Sequence, residues 1–495
     1  MRVLLITLYS DIASLGLRMI AATAREAGHD VEMLFLPNTP QEEHRYPDHV
    51  YRYPEELLAA VETLAGRHDA AGISLMTNYL GRARQISRAL RRSGSLRIIW
   101  GGIHPTIRPF DARGYADYVV RGEGEQAFVE LLDALSTGVS PAGIANVCDV
   151  ANQTVSAPRP LIQNLGDLPF AEYGPEGHWI WDREAGGIVP MTPELLKKHL
   201  GLGPISKIRN LVTYQTMATR GCPHRCAYCC NDVLQELYQG QKHLRRRPDG
   251  HVLEEIRRVR ERFPFIEGIG FSDDSFFAAR DEAIEAFAER YRAEIGLPFF
   301  CLGSPLTITE RKLEALLTAG MYGVQMGIQT GSPRIQALYN RHISNERVLA
   351  AAGLLARFAG RMVPPTYDFI IDSPWEMPDD LASTLDLVRR LPRPYRLQLF
   401  SLVIFPGTAL HQRAVIEGLV GEDTTTEFSK EYGDRQATYT NLVLGAYRYG
   451  IYKPLLDALS HPMMIRLFNR PVFNGIYSFV YRIGRRLAKL ILGDR

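Results

Sequence analysis

"GCPHRCAYCCND", residues 221–232, puts four cysteines into nine positions of a chain that has six in all. The spacing is Cys222-x3-Cys226-x2-Cys229, with Tyr228 just before the third thiol and Cys230 just after it. A zinc ribbon needs a second pair of ligands, and the sequence offers no further C-x2-C or histidine pair. A thioredoxin-like redox pair needs two thiols, not three. Three thiols at this spacing on one short segment suit an iron–sulfur cluster with one iron left open. Cys148, Cys230 and Cys301 read as buried neighbours or core residues.

The cysteine segment directly follows an apolar run, "NLVTYQTMATRG" (210–221), which opens a strand–helix alternation. Further strands are expected at 266–273, 297–304, 322–329, 365–372 and 395–404, with a helical stretch between each pair. Six such units predict a partial (β/α)6 barrel, and barrels of this kind do chemistry where strands end and loops begin. The thiols fall on that face.

An earlier alternation runs through "RVLLIT" (2–7), "VEMLFL" (31–36), "AAGISLMT" (70–77), "LRIIWGG" (96–102) and "ADYVVRGEGE" (116–125). This predicts an α/β, Rossmann-like doubly wound sheet whose ligand lies beyond the carboxyl ends of its strands. The residues there are Ser14, Leu15, Thr77, Asn78, Gly101, Gly102, His104, Gly122, Glu123 and Gly124. Expected boundaries are 1–150 for this domain, 151–205 for a Pro- and Gly-rich linker, 206–415 for the barrel and 416–495 for a helical tail.

With 495 residues the chain is too long for one core. A net charge of +2 argues against nucleic acid as partner, and six cysteines do not make a disulfide scaffold. "MRVLLITLYS" reads as a buried strand rather than a leader, and no apolar run reaches the roughly 18 residues of a spanning helix. A cytoplasmic protein with reduced thiols is expected.

"RGCPHRCAYC" resembles the CxxxCxϕC motif of the radical S-adenosylmethionine (SAM) superfamily, with Tyr228 as ϕ. The resemblance implies a 4Fe-4S cluster on Cys222, Cys226 and Cys229. Its open iron would chelate SAM, which one electron cleaves to a 5′-deoxyadenosyl radical. It also implies SAM contacts at Tyr228, at Asp273 and Asp274 in "FSDDSF" (271–276), and at Gln329 in "GIQTGS" (327–332), where Glu is usual. Arg341 is similar to an arginine that meets the SAM carboxylate. "DFIIDSPWE" (368–376) is similar to the family's "IIGxPxE", with Asp372 in place of Gly, and "FPGTAL" (405–410) to its closing PGT turn. A one-electron reductant such as flavodoxin or ferredoxin is implied.

The first domain resembles the cobalamin-binding module that precedes the barrel in one subgroup. The pattern D-x-H-x-x-G, which supplies a lower axial histidine, is absent, so base-off cobalamin with no protein nitrogen below is expected. Together the modules imply a cobalamin-dependent C-methyltransferase acting on an unactivated carbon. A cyclase or rearrangement enzyme with the same cofactors is the alternative. A non-catalytic cobalamin and iron–sulfur sensor and a tRNA methylthiotransferase are further rivals. In the tail, Arg482, Arg485, Arg486 and Lys489 lie beside an apolar stripe of Ile476, Val480, Ile483, Leu487 and Leu490. Such a helix either docks on the barrel or lies on an anionic membrane, which would suit a small-molecule or lipid-like substrate.

Overall fold

The computed structural model describes residues 1–37, 51–171, 173–421, 435–448, 453–481 and 483. The chain divides into two compact units. Unit 1 comprises Met1–Asp274, Arg290–Phe299 and Ile404–Lys430; unit 2 comprises Ser275–Glu289, Phe300–Val403 and Glu431–Arg495.

Unit 1 is built on a nine-stranded sheet. Its strands are β1 (Arg2–Thr7), β2 (Asp30–Phe35), β3 (Ala70–Ser74), β4 (Arg97–Gly101), β5 (Tyr118–Val120), β6 (Val147–Asp149), β7 (Thr154–Val155), β8 (His178–Asp182) and β9 (Gly187–Pro190). The order is β7-β6-β5-β4-β3-β1-β2-β8-β9. The pairs from β5 through to β8 are parallel, and the outer pairs at both ends are antiparallel. The parallel strands are apolar on both faces, as in β1, where Val3 to Thr7 are all buried. The helices Leu15–Glu26, Glu55–Ala65, Leu80–Arg92 and Glu125–Thr137 connect them. Because β1 lies between β2 and β3, the winding reverses there, and the crevice beyond the strand ends opens at that switch point.

One expectation needs correction. Residues 151–205 are not a bare linker, because β8 extends the first sheet alongside β2, with Met33 opposite His178, and β9 folds back on it as the edge. The His178 ring fixes this register by accepting the amide hydrogen of Met33.

Unit 1 also holds the start of the second alternation. β10 (Thr213–Thr216) pairs in parallel with β13 (Gly268–Phe271), and β11 (Thr219–Arg220) forms a short antiparallel ribbon with β12 (Arg245–Arg246). Unit 2 carries β14 (Phe299–Gly303) from its second residue on, and then β15 (Met321–Gln329), β16 (Thr366–Ile371) and β17 (Arg396–Ser401). β15, β16 and β17 run parallel with helices between them. The end of unit 2 is helical, with Tyr439–Arg448, Lys453–Leu459 and Pro462–Phe468. Of the basic tail stripe, Arg482, Arg485, Arg486, Lys489, Leu487 and Leu490 lie outside the described residues.

Candidate cofactor sites

The cysteine segment leaves β11 at Arg220, turns at Gly221 and enters the helix Cys230–Leu237. Gly221 has φ +82°, and a Cβ there would lie 2.3 Å from the His243 carbonyl, so only glycine fits this corner. Gln235 reaches back from the helix and donates to the carbonyls of Cys222 (3.0 Å) and His224 (2.8 Å). The Cys229 amide donates to the Cys226 carbonyl, and the Leu410 amide donates to that of Ala227. The loop is therefore gripped from its own helix and from the segment after "FPGT".

None of the three motif thiols is in a disulfide. Burial pushes the Cys222 thiol up to about 11, with Asp274 and the thiols of Cys229 and Cys226 adding to the rise. Cys229 is drawn down to about 7, mainly by a hydrogen bond from the Cys230 thiol. Among the described residues, no three His, Cys, Asp or Glu side chains close around a single metal ion. A cubane does not ask for that, since each thiolate takes a different iron, and a coordinating thiol is deprotonated outright. Three thiols on one gripped loop, none in a disulfide and near enough to perturb one another, match that donor set. Tyr228 is half-buried beside them.

A cavity of about 370 Å³ lies in unit 1. Its walls come from the carboxyl ends of β1, β3, β4 and β5 and from the cysteine loop, with Cys222 and Asp274 among its lining. Of the ligand-loop residues read from the sequence, Gly101, Gly102, Gly122, Glu123 and Gly124 face it. Ser14, Leu15, Thr77, Asn78 and His104 are not part of its lining. The Ser14 hydroxyl is paired with that of Thr7 at 2.6 Å. His104 is fully buried between Thr77 (3.1 Å) and Asp111 (3.3 Å), which makes it a loop-shaping residue. Residues the sequence reading missed include Gly16, Gly72, Phe128, Tyr238 and His243. At Gly16 a Cβ would meet nothing within 4 Å, so the backbone there is open to a large ligand. The mostly apolar, glycine-lined walls suit a flat, bulky group such as a corrin.

The Arg220 and Arg245 side chains project from paired positions of the β11–β12 ribbon toward the glycine turn after β5. Arg220 meets Glu125 at 2.6 Å and Glu123 at 3.3 Å, and Arg245 meets Glu123 at 2.8 Å. Burial raises the Glu123 carboxyl, but Arg245 and Arg220 outweigh it and hold the group below the usual range.

The two aspartates after β13 part ways. Asp273 is fully buried and accepts from the Ala218 amide (3.1 Å) and the Thr219 hydroxyl (2.6 Å), so it ties β13 to β11. Burial pushes it up to about 6. Asp274 faces the cavity and accepts from Asn231 at 3.2 Å.

The other residues that the sequence resemblance ties to SAM belong to unit 2. Gln329 ends β15 at a register shift, with φ +76°. Arg341 is buried and donates to the Gly327 carbonyl at 2.6 Å. Asp372 has φ +61°, and its carboxylate accepts from Ser401 (2.8 Å), the Gln436 amide (3.0 Å) and Asn441 (2.6 Å). That set of donors fastens the segment from 436 to 441 onto the end of β16. Asp368, not singled out in the sequence, accepts from Gln325 at 2.8 Å and has a buried second oxygen without a partner. Burial pushes Asp368 up to about 7 and Glu376 up to about 8.

A fold of this kind, with a glycine-lined α/β crevice opening beside a loop of three thiols, defines a two-cofactor α/β enzyme. The B12 binding domain family matches residues 1–132, and the Radical SAM superfamily matches residues 216–388. The chain thus joins a B12-binding domain to a radical SAM domain, and its cofactors are a 4Fe-4S cluster, SAM and cobalamin. It is 26% identical over 359 residues to an uncharacterized methyltransferase of Pyrococcus horikoshii, covering 71% of this chain and 70% of that protein. It is 21% identical over 372 residues to the bacteriochlorophyllide d C-8(2)-methyltransferase of Chlorobaculum tepidum, covering 72% and 70%. The structure of the radical SAM methyltransferase TsrM of Kitasatospora setae, with cobalamin and a 4Fe-4S cluster bound, superposes with a TM-score of 0.64 at 17% identity. That match covers 84% of this chain and 78% of that one. OxsB, with aqua-cobalamin and SAM bound, gives 0.62 at 14% identity, covering 100% and 73%. At such identities these two structures speak for the fold.

Proposed function

We propose that this enzyme transfers a methyl group from SAM to an unactivated carbon. The observation that carries this reading is a cavity of unit 1 that has both the glycine-lined strand ends and Cys222 of the cluster loop in its walls. When bound, the cofactors supply a 5′-deoxyadenosyl radical that removes a hydrogen atom and a cobalt-carried methyl group that replaces it. Cys222, Cys226 and Cys229 would hold the cluster, with Gln235 and Gly221 fixing the loop. Asp274, in the cavity wall of unit 1, is assigned to SAM. Asp273 and Asp372 are assigned supporting roles, because their carboxylates are engaged by protein donors. Gly101, Gly102, Gly122 and Gly124 give cobalamin close backbone approach. The methyltransferase names of the Pyrococcus and Chlorobaculum relatives support methyl transfer over ring formation.

The test uses SAM with a trideuteromethyl group, anaerobically, with flavodoxin or ferredoxin as reductant. The product should gain three mass units of label, and Cys226→Ala should stop both product and 5′-deoxyadenosine. An unlabelled product would favour the cyclase reading.

The substrate is read as a small or lipid-like molecule in the cytoplasm, met at a membrane surface. No helix among the described residues is long and apolar enough to cross a membrane. Exposed apolar side chains gather near the end of unit 2, among them Met463, Val472, Ile476, Phe479 and Val480, with the cations Arg466 and Arg470 interspersed. Exposed apolar residues interspersed with cations suit an anionic lipid surface. Sedimentation with vesicles containing phosphatidylserine should be lost on truncation after residue 470; binding that survives truncation rules the surface out.

A further inference from the structure

Arg220 and Arg245 stand directly opposite each other on the β11–β12 ribbon. Like charges at opposed positions repel, and burial strengthens the repulsion. Both are largely buried, so the ribbon needs anions nearby. The glycine turn of the cobalamin side provides them. Glu123 is the hub, with one carboxylate oxygen between the two guanidiniums, at 3.3 Å from Arg220 and 2.8 Å from Arg245. Its other oxygen accepts from Arg245 at 3.0 Å and from the Ile162 amide at 2.9 Å. Glu125 takes the far side of Arg220.

Arg220 is followed at once by Gly221 and Cys222, so whatever fixes Arg220 fixes the entrance to the cluster loop. The other end of the same loop reaches the turn as well. Tyr238, just past the helix Cys230–Leu237, sets its hydroxyl where a Cβ on Gly122 would be, at 1.7 Å from that position. The turn can therefore shift toward the helix by very little.

We propose that Glu123 is a positioning residue that ties the glycine turn to the cysteine loop, so that filling the cobalamin side and filling the cluster side reinforce each other. This rests on the two-cofactor reading above. Cobalamin resting on the turn holds Glu123 in place, Glu123 holds the arginine ribbon together, and the ribbon holds the cluster entrance. Linkage makes the effect reciprocal, so a loaded cluster tightens cobalamin by the same factor as cobalamin tightens the cluster.

The experiment measures hydroxocobalamin affinity on the full chain, with and without a reconstituted cluster, alongside bound iron and the electron paramagnetic resonance spectrum of the reduced cluster. In the wild-type protein the cluster should tighten hydroxocobalamin by roughly fivefold or more, and the cobalamin should shift the cluster signal. In Glu123→Gln the ratio should fall toward one and the shift should vanish, with iron content retained. A wild-type ratio of one, or a Glu123→Gln ratio equal to wild type, overturns the proposal. Should Glu123→Gln not fold, Arg245→Lys keeps the charge but loses the fork, and should give an intermediate ratio; an unchanged ratio there overturns it equally. Wild-type protein that takes up neither iron nor hydroxocobalamin would instead overturn the two-cofactor reading.

Discussion

The ribbon that leads into the cysteine loop sits among fixed charges that cancel, whereas the strand face of unit 2 bearing Gln325, Asp368 and Gln398 is nearly neutral. By register, Thr366 lies opposite Gln325, and Asp368 opposite Gly327 and Gln398, so these residues share one face of β15, β16 and β17. Arg341 is the guanidinium beside it, and it spends one donor on a backbone carbonyl. The two regions solve different problems. Paired charges fix a backbone that must not move, because each carboxylate has only one arrangement that satisfies its guanidinium. Amides, and a carboxyl that burial keeps protonated up to about 7, hold the strands together with less fixed charge.

Breaking the charged side should cost most. Arg220→Leu leaves Glu125, itself 5% exposed, without its cation, and should lower stability by about 3–5 kcal/mol. Adding Glu125→Leu should recover much of that loss, and chemical denaturation of the two variants checks it. If the single variant matches wild type, the paired charges do not fix the ribbon.

The neutral side should show itself through pH. Asp368 keeps its proton up to about 7 when folded, whereas an unfolded aspartate releases it near 3.9. The folded state therefore binds more protons across that window, and stability falls as pH rises from about 4 to about 7, then levels. Glu376, held at about 8 chiefly by burial, with Asp372 and Asp380 adding to the rise and Arg334 opposing it, extends the fall upward. Asp368→Asn should match wild type near pH 4 and gain on it as pH rises, by a few kcal/mol at most. Thermal midpoints across pH 4 to 9 would show this. A constant offset between the two curves would mean that Asp368 is already ionised.

The smallest change is expected from Asp372→Asn. Asparagine accepts the left-handed backbone and keeps one acceptor oxygen. Stability should drop by about 1 kcal/mol or less, with faster hydrogen exchange limited to the Gln436 amide and its neighbours.

Much of this arrangement can be read along the chain, because it rests on local signals. Strand–helix alternation marks both α/β regions, and the cysteine spacing marks the loop. Gly101, Gly102, Gly122 and Gly124 mark the crevice because close approach demands glycine. What escapes reading depends on distant partners. The edge hairpin β8–β9 is short and flanked by Pro and Gly, and its register comes from Met33, 145 residues away from His178. The two adjacent aspartates after β13 look alike in sequence, yet one position decides that Asp273 turns inward while Asp274 meets the cavity. Arg245 of the ribbon lies in a basic stretch, "HLRRRPDG" (243–250), whose sequence gives no sign of Glu123 of the glycine turn beside it.

Asp372 occupies a backbone conformation that glycine would enter without strain, and its carboxylate makes up for that strain by fastening Gln436 and Asn441. The two features should therefore travel together through evolution. Relatives that end before this anchored stretch, or fold it elsewhere, gain nothing from a carboxylate at the corner, and should revert to glycine there. Those that keep the stretch should keep aspartate or asparagine, which makes this one position a marker for the presence of the C-terminal extension.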